Sequence, residues 1–173
     1  MLESFLTKEG KGTGVVFVNR KDDVSFLHKF LKEKFPKRRM NFLHGGLTQK
    51  ERREAFREFS DKGGLLIASD IAARGLDIKG LSWVLNYDLP FEAVYYIHRC
   101  GRTGREGRLG RVYNFVTSID HKLMGRINEA ILSQSSLALT TLEPVGPKPK
   151  AKKKVHTRGA AKPAQKKKPA KKA

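Results

Sequence analysis

The alternation of short apolar runs with segments of helical period is the feature that most constrains this chain. Runs rich in Val, Ile and Phe recur along it, and the pattern predicts about five buried strands: residues 14–19, 40–43, 65–68, 83–87 and 111–116. Segments with apolar residues at helical spacing lie between them. Parallel strands need crossover connections of this kind, so the sequence predicts an α/β domain with a mostly parallel sheet.

Start signals and apolar spacing predict where the helices lie. Asp22 or Asp23 is suited to cap a helix that ends at Pro36, and Thr48 is suited to cap the next one. Residues 91–99 are also predicted to be helical. The inward positions recur every three or four residues: Val24, Leu27, Leu31 and Phe35; Ala55, Phe56 and Phe59; Leu123, Ile127, Ala130 and Ile131.

The formal net charge of +19 is unevenly distributed and favours a polyanionic partner, with nucleic acid the first candidate. Residues 144–173 contain 11 Lys, one Arg and no acid, which places +12 there and leaves +7 for residues 1–143. This tail is built mainly from Lys, Ala, Pro and Gly, so we expect it to be disordered. The predicted division is a leading or linker segment (1–12), one domain (13–143) and the basic tail (144–173).

Several classes of protein are disfavoured by composition. A single cysteine, Cys100, excludes an intramolecular disulfide and any multi-cysteine metal site, and no metal site is predicted. No apolar run approaches the ~18 residues that a membrane span needs, and the first residues lack a secretion signal. We therefore expect an intracellular protein, cytoplasmic if bacterial; if it is eukaryotic, the lysine triplets at 152–154 and 166–168 could be a nuclear or nucleolar address.

Three stretches carry polar residues in a pattern unlike ordinary core: 66–77 (LIASDIAARGLD), 86–90 (NYDLP) and 96–105 (YIHRCGRTGR). The first follows a predicted strand directly and so lies at the carboxyl edge of the sheet, where open α/β folds bind ligands. Asp77 could there accept hydrogen bonds from a ribose. In the third, glycines interleave with Arg99, Arg102 and Arg105, so their guanidinium groups are predicted to project toward phosphate.

Each feature taken singly has a plainer interpretation. An arginine cluster is more often a solvated face, Asp70 could simply cap a helix, and Asp77 could be a turn residue. The joint occurrence of the three stretches makes those interpretations less favoured.

The aromatic residues and the cysteine are predicted to pack rather than to bind. Trp83, Tyr95 and Tyr96 lie beside a strand or within an amphipathic helix, which favours core or domain-interface packing over base stacking. Cys100 is read as a small buried hydrophobe without a redox role.

These stretches resemble motifs V, Va and VI of the DEAD-box family of superfamily 2 helicases. Residues 16–19 (VFVN) resemble motif IV, and 44–46 (HGG) with 49–52 (QKER) resemble motif IVa, so the resemblance covers about residues 13–118. It implies the second, C-terminal domain of such a helicase, with a RecA-like three-layer α/β/α fold. In this family two RecA-like domains close together on ATP and RNA.

The resemblance implies a role for each matching residue on the nucleotide side. Arg102 and Arg105 would reach the γ-phosphate of ATP as arginine fingers. His98 would touch the acidic box of the first domain across the cleft. Gly75 and Asp77 would contact the nucleotide, with Asp77 at the ribose.

The resemblance also implies an RNA side that contacts phosphates and so carries no direct base information. Ser69 replaces the more usual threonine and keeps the hydroxyl, whereas Arg20 stands where threonine is common and adds a charge. Arg74 would join the nucleotide and RNA surfaces. The implied RNA-binding residues are Arg20, Gly46, Gln49, Arg52, Ser69 and Arg74.

Neither a GxxxxGK[ST] loop nor an Asp-Glu-Ala-Asp box occurs in residues 1–173. ATP with Mg²⁺ would be held mainly by the first domain of the same parent protein, so this chain alone is expected to be inactive as an ATPase. Two alternatives stay open: a stand-alone RNA-binding or annealing module, and a fragment of a DNA-acting superfamily 2 helicase. An upstream reading frame containing the missing boxes would decide against the stand-alone module.

Overall fold

The computed structural model describes residues 1–73, 81–104 and 109–133. Within these ranges the strands are β1 (Gly14–Val18), β2 (Met40–Leu43), β3 (Leu65–Ser69), β4 (Trp83–Asn86) and β5 (Arg111–Asn114). They form one sheet in the order β2-β3-β1-β4-β5, and every pairing between them is parallel. All five predicted strands are confirmed, three of them one or two residues shorter than predicted at the carboxyl end.

The helices of the described ranges are α1 (Leu2–Lys8), α2 (Lys21–Lys34), α3 (Gln49–Lys62), α4 (Asp70–Ala73), α5 (Ala93–Cys100) and α6 (His121–Leu132), with a 3₁₀ turn at Ser118–Asp120. The prediction that Asp22 or Asp23 caps α2 was wrong. Arg20 occupies the N-cap without a side-chain cap, and both aspartates lie in the first turn. A carboxylate is also favourable there because the helix amino terminus is partly positive.

Alternate side chains of each strand point to opposite faces, and each face is covered by helices. On one face Val16, Val18 and Ile67 pack with α2 and α1. On the other, Val15, Phe17 and Leu66 pack under α3 and α4. The result is the predicted three-layer α/β/α arrangement. No helix of the described ranges has both the length and the apolar character needed to cross a bilayer.

Helix α3 is fixed at both ends by the residues that border it. Thr48 Oγ1 accepts from the amide of Glu51, and the Glu51 carboxylate accepts from the amide of Thr48, which forms the predicted cap as a reciprocal capping box. At the other end Gly63 and Gly64 have φ of 63° and 110°. A Cβ at Gly64 would come within 2.7 Å of the Arg39 carbonyl oxygen, so the turn into β3 requires glycine there.

Helix α1 is a part of the fold for which the sequence patterns had predicted no element. Its Phe5 ring packs edge-on against Trp83 and Tyr113, with centroids 5.3 and 4.8 Å away. Trp83 Nε1 donates to the Lys11 carbonyl at 2.8 Å, and Arg38 donates to the carbonyls of Leu6 and Gly10. The segment before β1 therefore contributes to the core.

Helices α5 and α6 pack together through Ala93 and Tyr96 on one side and Leu123 and Ile127 on the other. Ile131, predicted to continue this contact, is 68% exposed, so the packed part of α6 ends one turn earlier than predicted. The predicted tail at 144–173 lies outside the described residues, and the boundaries at 12 and 143 stay predictions.

Candidate functional site

The carboxyl ends of the parallel strands meet at one edge of the sheet and bring distant polar residues together. Asn19 follows β1, Asp70 follows β3, and Asp88 follows β4. The chain leaves β1 toward β2 on one side and leaves β4 toward β5 on the other. Open α/β sheets form their ligand crevice where the connections diverge in this way.

Arg99, on the last turn of α5, fills the centre of this edge and is 1% exposed. Its Nε and Nη2 donate to the two carboxylate oxygens of Asp70, each at 2.7 Å. Nη2 also donates to Asn19 Oδ1 at 2.8 Å, and Nη1 donates to Asn86 Oδ1 at 3.2 Å and to the Asp88 carbonyl at 2.6 Å. The guanidinium thus ties the ends of β1, β3 and β4 to α5.

The prediction that the Arg99 guanidinium projects toward phosphate was therefore wrong. All of its nitrogens are engaged by the protein, and the group stacks over the Phe17 ring at 5.3 Å. The plainer interpretation of Asp70 was also incomplete: it begins α4, but its carboxylate is the counter-charge of a buried cation. A buried guanidinium is tolerated only when it is paired and hydrogen-bonded in this way.

A small pocket opens beside this ion pair and holds two of the predicted catalytic residues, His98 and Arg102. Its lining residues are Phe17, Asp70, Ala73, Tyr95, His98, Arg99 and Arg102. His98 is exposed and lies against Tyr95, with ring centroids 6.4 Å apart, whereas Arg102 is half-buried. Arg99 neutralises the Asp70 carboxylate, and the Arg102 guanidinium is of a type that binds phosphate.

Four predicted residues cannot be placed. Arg74, Gly75, Asp77 and Arg105 lie outside the described residues, so their roles stay predictions.

The predicted RNA-binding residues that are described also gather at the carboxyl edge, on the side of β2 and β3. Gly46 and Gln49 are exposed in the loop and first turn that follow β2, and Ser69 ends β3. Arg52 lies one turn further along α3 and donates through Nη2 to the Ala72 carbonyl at 2.9 Å. Arg20 is exposed directly after β1. We call Gly46, Gln49, Arg52 and Ser69 the β2–β3 strip.

Arg52 differs from Arg99 in how far the protein satisfies it. One hydrogen bond to the protein is formed, and its Nε is buried without a partner among the described residues. A buried donor without an acceptor is costly, and guanidinium groups bind phosphate in a fork geometry. The half-buried Arg52 thus has guanidinium donors that the described residues do not use.

His44 supports the strip and was missed as a functional residue, although it stands directly before Gly45 and Gly46. Its Nδ1 accepts from the Gly46 amide at 3.1 Å, and its Nε2 lies 3.3 Å from Ser25 Oγ. A neutral ring that accepts at Nδ1 carries its proton on Nε2, so it donates to Ser25. His44 thereby links the glycine turn to α2.

Trp83, Tyr96 and Cys100 are engaged in packing, as predicted, whereas Tyr95 lines the pocket beside His98. Trp83 is 2% exposed, and Tyr96 accepts a hydrogen bond from Asn114 Nδ2 at 3.2 Å while burial raises the pKa of its hydroxyl to about 12. Cys100 packs beside Tyr96 in the α5–α6 contact, where burial raises the pKa of its thiol. Neither group is presented to a ligand as a nucleophile.

Comparison with known proteins shows the family of the chain. Residues 1–107 match the model of the helicase conserved C-terminal domain. The chain belongs to this family. It is 36% identical over 156 residues to the ATP-dependent RNA helicase SrmB of Haemophilus influenzae, a match that covers 87% of this chain and 34% of that protein. The chain thus spans about a third of the length of this curated relative.

Solved structures agree with the sequence match. The Escherichia coli DEAD-box protein SrmB, solved bound to regulator of ribonuclease activity A, matches with a TM-score of 0.66 and 34% identity over 74% of this chain and 75% of that one. Domain 2 of the DEAD-box helicase Mss116p, solved bound to an RNA duplex, matches with a TM-score of 0.66 and 27% identity over 83% of this chain and 56% of that one. The helicase domain is thus a C-terminal RecA-like domain of the DEAD-box type, which confirms the resemblance read from its motifs.

Proposed function

We propose that this helicase domain is the half of an ATP-dependent RNA helicase that supplies arginine fingers to ATP and grips the RNA backbone. The observation that supports the proposal is that the pocket of His98 and Arg102 and the β2–β3 strip lie on the same edge of the sheet. The pocket of His98 and Arg102 and the β2–β3 strip meet at consecutive residues, since Ser69 belongs to the strip and Asp70 lines the pocket. The two sites therefore share the backbone at the end of β3.

On the nucleotide side, the residues of the pocket fit a phosphate approached from a second domain. Arg102, together with Arg105, would stabilise negative charge on the γ-phosphate, and Gly75 and Asp77 would position the nucleotide. His98 is exposed on the rim, as a residue that contacts the acidic box of another domain must be. When bound, ATP with Mg²⁺ supplies the phosphoryl group for transfer to water. No group of three or more metal-ligating side chains forms among the described residues, and we assign the ion to the first domain.

On the RNA side, the β2–β3 strip, with Arg20 and Arg74, would contact successive phosphates of one strand. A side-chain amide, a hydroxyl and guanidinium groups bind phosphate without reading bases, so binding would be independent of sequence. The capture of an RNA duplex by domain 2 of Mss116p supports this assignment. Closure on ATP and RNA together would bend the bound strand and open a short duplex or remodel a ribonucleoprotein.

The tail, with a charge of +12, would raise the local concentration of RNA. Its contribution to RNA affinity would fall steeply as salt is added, because each neutralised phosphate adds about 0.7 to 0.9 to the slope of log K against log salt. Deletion of residues 144–173 is expected to reduce RNA affinity more than the rate of ATP turnover. A targeting role for the lysine triplets would instead leave both quantities unchanged.

The test is RNA-stimulated ATP turnover by this chain joined to a DEAD-box first domain. Arg102→Ala and Arg105→Ala are each expected to lower turnover by about 10³-fold or more, the contribution of an arginine finger. Arg111→Ala is the matched control, because Arg111 is exposed at the opposite, amino-terminal end of β5. Equal turnover in all three variants and the parent would overturn the finger assignment. RNA binding without any turnover in the parent would favour the stand-alone RNA-binding module.

A further inference from the structure

Helix α3 carries an acidic flank and a basic flank along its length. The acidic flank comprises Glu51, Glu54, Glu58 and Asp61, and the basic flank comprises Lys50, Arg53 and Arg57. Each set recurs at three- or four-residue spacing, which places its members in a row along the helix. The two flanks adjoin on the exposed side of α3, where Glu54 follows Lys50 and Asp61 follows Arg57 by four residues. Phe59 and the half-buried Ala55 and Phe56 lie on the opposite, buried side.

The two flanks have different surroundings. The acidic flank faces the edge strand β2, because Asn41 Nδ2 donates to Glu58 Oε2 at 2.9 Å. The basic flank lies mostly outside the groove between α3 and β2, which Arg57 borders but Lys50 and Arg53 do not. It begins beside Gln49 and Arg52 of the β2–β3 strip and runs from there toward the amino-terminal edge of the sheet.

Nothing within the described residues uses the cations of the basic flank. Lys50, Arg53 and Arg57 are all exposed, and the ion pair within α3 is Glu58 with Lys62 at 3.4 Å. Like charges three or four residues apart destabilise a helix, whereas mixed signs would stabilise it. Glu54 lies at ion-pairing spacing from Lys50 and Arg57, and Asp61 from Arg57, but among the described residues they form no salt bridge with these cations. The three cations are therefore available to an external polyanion.

We propose that the RNA strand leaving the β2–β3 strip continues along α3 over Lys50, Arg53 and Arg57. These residues span about 10 Å of helix at a rise of 1.5 Å per residue, so they extend the phosphate-binding surface beyond the strip without adding base contacts. The acidic flank repels the strand from the β2 side and so fixes its direction. This inference rests on the proposed function, since the strip must hold RNA for a strand to leave it.

The test measures RNA binding to the full chain by fluorescence anisotropy, with single-stranded RNAs of about 6 and about 20 nucleotides. In Arg53→Gln/Arg57→Gln, affinity for the longer RNA is expected to fall about tenfold, and the slope of log K against log salt to fall by about 1.4, near 0.7 for each lost phosphate contact. Affinity for the shorter RNA is expected to change little. The matched control is Lys29→Gln/Lys32→Gln, which removes two exposed cations from α2 on the other face of the sheet.

An equal loss in both double variants, no loss in either, or an equal loss for the short and long RNA overturns the inference. Arg52→Gln separates it from the proposed function. If Arg52→Gln lowers RNA affinity and Arg53→Gln/Arg57→Gln does not, only the path along α3 is wrong. If Arg52→Gln leaves RNA affinity unchanged, the assignment of the β2–β3 strip to RNA is wrong as well. Circular dichroism and the thermal midpoint confirm that each variant is folded.

Discussion

Arg99 and Arg52 both lie at the carboxyl edge of the sheet, but they differ in how many of their hydrogen-bond donors the protein satisfies. Arg99 makes five hydrogen bonds to four residues and is 1% exposed. Arg52 makes one hydrogen bond to the Ala72 carbonyl and has a buried Nε without a partner in the described part of the chain. A satisfied guanidinium holds the fold, and an under-satisfied one at the surface is suited to a ligand.

The same difference separates the two halves of the edge. The centre, at β1, β3 and β4, is fixed by long-range contacts that converge on Arg99. Among the described residues, the β2 side has no such central group and is held by single hydrogen bonds, namely the capping box of Thr48, the bridge from His44 to Gly46 and Ser25, and the bond from Arg52 to the Ala72 carbonyl. We expect the centre to be rigid before any ligand arrives and the β2 side to become fully ordered only when RNA binds.

The largest expected effect is the difference in the free energy of unfolding between Arg99→Met and Arg52→Met. Arg99→Met leaves the Asp70 carboxylate, 22% exposed, without its counter-charge and should lower the free energy of unfolding by ~3–5 kcal/mol. Arg52→Met should cost about 1 kcal/mol, because one hydrogen bond is lost. Urea unfolding followed by the fluorescence of the single tryptophan, Trp83, measures both. Similar losses in the two variants would contradict the distinction.

The ranking should reverse when RNA binding is measured. Arg52→Met remains folded but is expected to bind single-stranded RNA about tenfold more weakly, the loss of one charge-assisted hydrogen bond to phosphate. Titration of the full chain at fixed salt gives the dissociation constant. Arg39→Met is the control, since Arg39 is exposed and donates to the Lys62 carbonyl away from the strip. If Arg39→Met and Arg52→Met bind equally, Arg52 has no special place in recognition.

The capping box should contribute less than the buried ion pair. Thr48→Ala removes the acceptor for the Glu51 amide and is expected to cost about 1 kcal/mol, while Ser60→Ala on the exposed face of the same helix should cost little. Hydrogen bonds from Thr48 hold the pKa of Glu51 below its usual value. The stabilisation by the capping box is thus fully present at a pH above the ordinary pKa of glutamate, and it is lost as the pH falls through the lowered pKa of Glu51. A cost of Thr48→Ala that is unchanged in acid would show that Glu51 is not part of the cap.

The sequence predicted the sheet because each strand is a local signal, a run of apolar residues such as 14–18 or 65–69 that must be buried. It predicted the family because the motif residues lie in the right order. It did not separate Arg99 from Arg102, since both stand in the same glycine-rich run. The helical spacing within α5 distinguishes the two, because Arg99 follows the buried Tyr96 by three residues and so lies on the same, buried side of the helix.

Helix α1 was overlooked for a different reason. Its seven residues are too few to form a stable helix alone, so its signal is weak, although Leu2, Phe5 and Leu6 have helical spacing. Contacts with Trp83 and Tyr113, more than 75 residues away in the sequence, stabilise it. Such contacts depend on the sheet order, which no local pattern specifies.

The smallest expected effect is the one that tests how the β2 side is held. Ser25→Ala removes the exposed partner of His44 Nε2, an interaction of 3.3 Å, and should change the free energy of unfolding by no more than about 0.5 kcal/mol. The hydrogen exchange of the Gly46 amide is nevertheless expected to accelerate, because the ring that accepts this proton is no longer anchored to α2. The amide of Val16, in the centre of the sheet, should be unaffected. If both amides respond together, the two halves of the edge open as one unit, and the β2 side is as rigid as the centre around Arg99.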